Sequence, residues 1–249
     1  MKVIKIGGLE IGSGMPKICA PIVEGRLEDI LKQAEEIAAS PAKIAEWRCD
    51  FAEEQLVGAE DMLLQLRRIL RDKLLLVTLR TEREGGHRDI TPEEYLFLCK
   101  RFLDFGLIDM LDVELSAGEE VYRELIRTAN IYRVCTIISK HFFDGTPSSE
   151  DLRSLMLQMD RSGASILKIA AMPHEKNDVL RLMQEGHAFH EKCMKPMIYI
   201  SMGEMGLTSR LTGELTGSCI TFGTVGKASA PGQIDVWELD RILRVVHGN

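Results

Sequence analysis

The sequence predicts an α/β fold, a (β/α)8 barrel with an N-terminal β-hairpin, and three observations carry that prediction. Short apolar runs alternate with segments whose apolar residues recur at three- and four-residue spacing. These units repeat roughly every 20 to 35 residues, the size expected of a strand plus its crossover helix. Polar residues gather at the C-terminal ends of the runs, where barrels keep their chemistry. A doubly wound open sheet is the alternative, and no G-x-G-x-x-G follows the first run to favour it.

Element by element, Lys2–Ile6 and Leu9–Ile11 read as a hairpin turning at Gly7-Gly8. The strands that follow are KICAPIV (17–23), KIAEWR (43–48), KLLLVTLR (73–80) and IDMLDVEL (108–115), then YRVCTIIS (132–139), SILKIA (165–170), PMIYIS (196–201) and SCITFG (218–223). Helical segments lie between them. Thr91-Pro92-Glu93-Glu94 places a cap before a first-turn proline, and Ser148-Ser149 precede acidic residues. No linker or low-complexity stretch divides the chain, so one domain is expected over 1–249.

Net charge is −7, without any lysine- or arginine-rich run, which argues against nucleic acid or an anionic membrane as partner. Six scattered cysteines with no C-x-x-C pair read as buried thiols of a reducing compartment. The N-terminus lacks the apolar core of a signal peptide, and no run of about 18 apolar residues could span a membrane. A soluble, cytoplasmic protein is expected.

Side chains two apart on a strand share a face. Glu46 and Arg48 therefore face one way, as do Asp112 and Glu114, and Ser139 and His141. Arg80 ends its strand shortly before Glu84-Gly85-Gly86. Arg210 follows the seventh strand, and a loop at 223–233 holding Ser229 and Gln233 follows the eighth. Each has a structural reading too. Glu46/Arg48 could be an ion pair that fixes register, and Asp112/Glu114 could orient neighbours or bind Mg²⁺ with waters.

Lys168 resists such a reading. Its same-face neighbours Ile166 and Ala170 point into a barrel interior, where an ammonium has only the mouth to reach for. It needs carboxylate partners or must lose its proton. Burial and nearby arginines favour the neutral amine, and a neutral amine attacks a ketone or aldehyde to form a Schiff base. The protonated imine acidifies the adjacent carbon. His141, one strand away, is of the type to act as base and acid near neutrality.

The motifs EWR (46–48), Arg80 with EGG (84–86), DVEL (112–115), SKHFF (139–143), KIAAMP (168–173), SMGEMGLTSR (201–210) and FGTVGKASAPGQI (222–234) occur in order. Together they resemble the type I 3-dehydroquinate dehydratases over essentially the whole chain. The resemblance implies a barrel of the class I aldolase type, a homodimer, no cofactor, and syn elimination of water from the small molecule 3-dehydroquinate. It makes Lys168 the imine-forming residue, His141 the general acid/base and Glu84 its support. It makes Arg210 the carboxylate clamp, assigns Glu46, Arg48 and Arg80 to the ring hydroxyls and the region around the imine, and gives Ser229 and Gln233 to a closing loop. Pro21 stands where some relatives have a serine, so no polar contact is expected from that strand. A class I aldolase acting on a sugar phosphate, a lyase using metal at Asp112 and Glu114, and a non-catalytic barrel with Lys168 in an ion pair are the alternatives.

Overall fold

The computed structural model describes residues 2–52, 56–226 and 228–248. Strands β1 (Ile4–Ile6) and β2 (Leu9–Ile11) pair antiparallel, with Ile6 opposite Leu9 across the turn. A two-residue turn of this kind needs left-handed backbone at both positions, which Gly7 (φ 53°) and Gly8 (φ 91°) adopt. Eight strands form the main sheet: β3 (Lys17–Ile22), β4 (Ile44–Arg48), β5 (Leu74–Thr78), β6 (Met110–Glu114), β7 (Cys135–Phe142), β8 (Ile166–Ala171), β9 (Met197–Ser201) and β10 (Ile220–Phe222).

The sheet order is β10-β3-β4-β5-β6-β7-β8-β9, and every ladder in it is parallel. The ends of that order meet where Met197 bridges Ser218 and the Cys219 N–H donates to the Met197 carbonyl at 2.8 Å. The sheet is thus a nearly closed barrel, as expected. Around it lie α1 (Leu27–Ala39), α2 (Ala59–Leu70), α3 (Pro92–Asp104), α4 (Glu119–Tyr132), α5 (Ser149–Arg161), α6 (Lys176–His190), the short α7 (Leu207–Leu211) and α8 (Gly213–Thr216), and α9 (Val236–His247). Thr91 closes a reciprocal capping box with Glu94, and Ser148 accepts from the Asp151 N–H.

One boundary differs from expectation in a way that matters. The run 132–139 does not start as strand, because α4 continues through Tyr132 and ends at Arg133, whose φ of 58° is left-handed. The strand β7 begins at Cys135 and runs on to Phe142, since His141 and Phe142 pair with Ala170 and Ala171 of β8. His141 is therefore a strand residue with its direction set by the ladder.

Alternation divides the core in two. Outward residues such as Trp47, Val77, Leu111 and Leu167 pack with the helices. Inward residues such as Cys19, Ile44, Leu76, Met110, Ile137 and Ile198 fill the barrel. Ile11 of the hairpin is fully buried in that inner cluster, with Ile4, Ile6 and Leu9 packed on it. The hairpin stands over the strand starts, for Gly7 lies against Leu74 and Gly12 against Pro196. It plugs the N-terminal mouth and leaves the other mouth open. All six cysteines are buried and unpaired. Among the described residues, no helix is long and apolar enough to cross a membrane.

The plug contributes stability at the end remote from the polar mouth. Ile11→Ala should cost about 2–4 kcal/mol and lower Tm by about 5–15 °C. The folded-state circular dichroism spectrum below the transition should stay near wild type. Thermal unfolding followed by circular dichroism checks the first, and a Tm shift under about 2 °C would remove the hairpin from the core.

Candidate active site

Continuing the inward alternation upward, four of the strands carry the polar residues singled out in the sequence. Glu46 and Arg48 come from β4, Asp112 and Glu114 from β6, Ser139 and His141 from β7, and Lys168 from β8. Arg80 and Glu84 follow β5, Arg210 lies on α7, and Ser229 and Gln233 lie in the loop after β10. Glu46, Arg48, Arg80, Glu84, His141, Lys168, Arg210, Ser229 and Gln233 all line one cavity of about 180 Å³. The structure thus brings together every site residue that the resemblance implied. Lys227, within the 223–233 loop, lies outside the described residues.

Lys168 is 5% exposed. Its Nζ lies 3.4 Å from Asp112 Oδ2 and 4.5 Å from the centre of the Phe222 ring. An ammonium is attracted to both a carboxylate and an aromatic face. Along the ladders Lys168 stands beside Ser139 and Ser139 beside Glu114, and the Lys168 side chain reaches Asp112, two residues before Glu114 on the same inward face of β6. Asp112 directs its oxygens to Lys168, Arg80 and Ser139.

Arg80 is the hub. Its Nη2 donates to Asp112 Oδ1 at 2.9 Å, and its Nη1 donates to Glu114 Oε1 at 2.9 Å and Ser139 Oγ at 3.1 Å. Glu84 Oε2 lies 3.5 Å from the same Nη1. Burial works against the guanidinium charge, but Asp112, Glu114 and Glu84 outweigh it and hold Arg80 protonated. Burial likewise works against Asp112, yet Arg80 and Lys168 keep its carboxyl below the usual range. Glu114 goes the other way: burial lifts it despite Arg80, and Thr81 satisfies both its oxygens.

The pair Glu46/Arg48 is not a salt bridge. Arg48 forks onto Asp50, at 2.8 Å from Nε and 2.7 Å from Nη2, while Glu46 Oε1 accepts from Thr78 Oγ1 at 2.7 Å. Asp50 carries no pairing signal in the sequence, because it lies in the turn after β4 and not on the strand's alternating face.

His141 Nδ1 lies 2.8 Å from Glu84 Oε2, which also accepts the His141 backbone N–H at 3.1 Å. Burial and the Arg80 charge press the imidazole down to about 4, against the pull of the Glu84 hydrogen bond. Burial alone would raise Glu84, but His141, Arg80 and Lys140 bring it to about 2. At neutral pH the pair is thus an ionised carboxylate and a neutral imidazole. Nδ1–H donates to Glu84, so Nε2 carries the lone pair. The two glycines after Glu84 are required by space. A Cβ on Gly85 would fall 2.2 Å from the Phe143 ring, and one on Gly86 would fall 2.0 Å from the Arg80 carbonyl oxygen.

Arg210 is 2% exposed, its Nε has no hydrogen-bond partner, and its Nη2 donates to the Pro231 carbonyl at 3.1 Å. No carboxylate pairs with it among the described residues. Burial alone lowers it to about 10. A buried guanidinium without a counter-ion is costly unless an anion arrives to occupy it. The loop beside it presses close to the β9–α7 turn. Gly203 donates its N–H to the Pro231 carbonyl, and a Cβ on Gly232 (φ 75°) would lie 2.2 Å from the Gly203 carbonyl oxygen. Gln233 braces the loop, accepting from the Ser229 N–H and donating to its Oγ, both at 2.8 Å.

The site also contains Phe222, which opens the FGTVGKASAPGQI motif but had no role assigned to it. An aromatic on the inward face of the last strand reads equally as core.

The family model for type I 3-dehydroquinase matches residues 18–249. The 3-dehydroquinate dehydratase of Bacillus licheniformis is 40% identical over 254 residues, covering 100% of this chain and 99% of that protein. That of Clostridioides difficile strain 630 is 40% identical over 247 residues, covering 98% and 97%. A crystal structure of type I 3-dehydroquinate dehydratase from Clostridium difficile, with covalently modified comenic acid, superposes with a TM-score of 0.96 at 39% identity, covering 100% and 99%. The enzyme from Geobacillus kaustophilus gives 0.95 at 35% identity, covering 99% and 97%. Matched along its barrel strands and its final loop alike, the chain belongs to the type I 3-dehydroquinase family.

Proposed function

We propose that this chain is a lyase that dehydrates 3-dehydroquinate to 3-dehydroshikimate in the shikimate pathway, through a Schiff base on Lys168. The observation that carries the reading is the company Lys168 keeps: a buried amine, a neutral imidazole and a guanidinium without a carboxylate partner open into one cavity. The similar enzymes support the substrate.

Arg210 holds the substrate carboxylate by charge-assisted hydrogen bonds, and Glu46, Arg48 and Arg80 take the ring hydroxyls and the region around the imine. The unprotonated Lys168 amine attacks the ketone carbon, and the carbinolamine loses water to leave an iminium. The iminium draws electrons from the adjacent C2–H bond. Nε2 of His141 takes that proton, and the resulting enamine expels the C1 hydroxyl, which leaves as water with a proton from the imidazolium. Water then hydrolyses the imine and frees the amine. Glu84 keeps the imidazole in the tautomer that exposes Nε2 and stabilises the imidazolium between the two transfers. Ser229 and Gln233 close over the ring and exclude solvent. Asp112 and Glu114 serve the arginine and the lysine as counter-charges. Homodimer assembly and a cytoplasmic location belong to the same reading, and sedimentation at micromolar concentration tests the first.

Incubation with 3-dehydroquinate and borohydride should leave a stable mass increase on Lys168, and Lys168→Met should lose both the adduct and the turnover. An unmodified, inactive wild-type protein would refute the assignment. Arg210→Ala should raise KM by about 10–100-fold while the fold persists, the loss of one or two charge-assisted hydrogen bonds; unaltered binding would move the clamp elsewhere. The His141 imidazole, followed by ¹⁵N NMR, should titrate at about 4 and not at its ordinary 6.5. Folding favours the neutral ring, so the stability contribution is full above pH 6.5 and is lost as pH falls through about 4. A midpoint near the ordinary value would leave the neutral-base argument without support.

A further inference from the structure

Lys140 and His141 are consecutive in β7, so alternation sends their side chains to opposite faces. Both nevertheless reach Glu84. The carboxylate divides its oxygens: Oε2 accepts from His141, and Oε1 accepts from the Ser116 hydroxyl and from Lys140 Nζ at 3.1 Å. Lys140 comes from the solvent side, with its side chain 24% exposed and its Nζ 5.7 Å from the centre of the Phe142 ring. With Arg83, it lines a groove of about 480 Å³ that also reaches His141.

We propose that Lys140 is a positioning residue for the elimination, setting the proton affinity of the Glu84–His141 pair from outside the substrate cavity. The inference rests on His141 being the general acid/base. The Lys140 charge lowers the proton affinity of Glu84, and by plain Coulomb repulsion it opposes a proton on the adjoining His141, as Arg80 and Lys168 do. Glu84 favours that proton, and Asp112 and Glu114 lie nearby on β6. Arg80 and Lys168 line the substrate cavity and Lys140 does not, so the Lys140 charge can be removed without removing a substrate contact. The effect is electrostatic and partly solvent-exposed, so it should weaken in salt.

Lys140→Met removes the charge, and Lys140→Arg keeps it. For Lys140→Met the acid limb of kcat/KM should move up by about half to one pH unit. That is a loss of about 3–10-fold on the limb, with activity near wild type at about pH 8. Lys140→Arg should return the limb to its wild-type place, and about 0.5 M NaCl should narrow the difference between Lys140→Met and wild type. ¹⁵N titration of His141 in Lys140→Gln gives the same shift without relying on turnover. A limb and an imidazole midpoint that stay put, or a uniform loss of kcat at every pH, would overturn the proposal. Borohydride trapping on Lys168 and the inactivity of His141→Ala, run alongside, report separately on the Schiff-base reading.

Discussion

The Arg80 guanidinium is the piece on which the mouth of the barrel depends. From the end of β5 it engages Asp112 and Glu114 of β6, Ser139 of β7, and Glu84 of its own following turn. Buried ion pairs add little net stability, because desolvation offsets most of the attraction, but removing one partner strands the others in a low-dielectric site. Such a hub therefore fixes geometry more than it stabilises the fold. The close approach of Gly86 to the Arg80 carbonyl ties the backbone of the Glu84 turn to the same residue.

Charges around that hub alternate in sign: Lys140 meets Glu84, Glu84 meets Arg80, Arg80 meets Asp112, and Asp112 meets Lys168. Glu114 supplies one more anion to Arg80. These cations and carboxylates balance when His141 is neutral, which is the state that burial and Arg80 impose on it. In the proposed reaction an iminium on Lys168 would carry its positive charge beside Asp112, whose Oδ2 lies 3.4 Å from the Lys168 Nζ. Arg210 stands apart, buried with no carboxylate partner among the described residues.

Much of this was legible in the chain. The alternation of apolar runs and amphipathic segments follows directly from the two periodicities of strands and helices, and it places every barrel strand to within a few residues. The boundary at Tyr132 escaped because Tyr-Arg-Val-Cys suits a strand by composition, while its helical state depends on α4 continuing to pack. The i, i+2 polar pairs at strand ends pointed to the mouth because a single parity error would have turned them to the helices.

By itself, the sequence determined which faces point inward, since side-chain alternation is a local property of the backbone, and it therefore determined that Lys168 is buried among apolar neighbours. Which partners each inward group would find was decided only in three dimensions. Arg48 takes Asp50 instead of Glu46, and Lys168 takes Asp112 and the face of Phe222. Those choices depend on the stagger between strands dozens of residues apart and on angstrom-scale distances, to which charge interactions are sensitive and hydrophobic patterning is not.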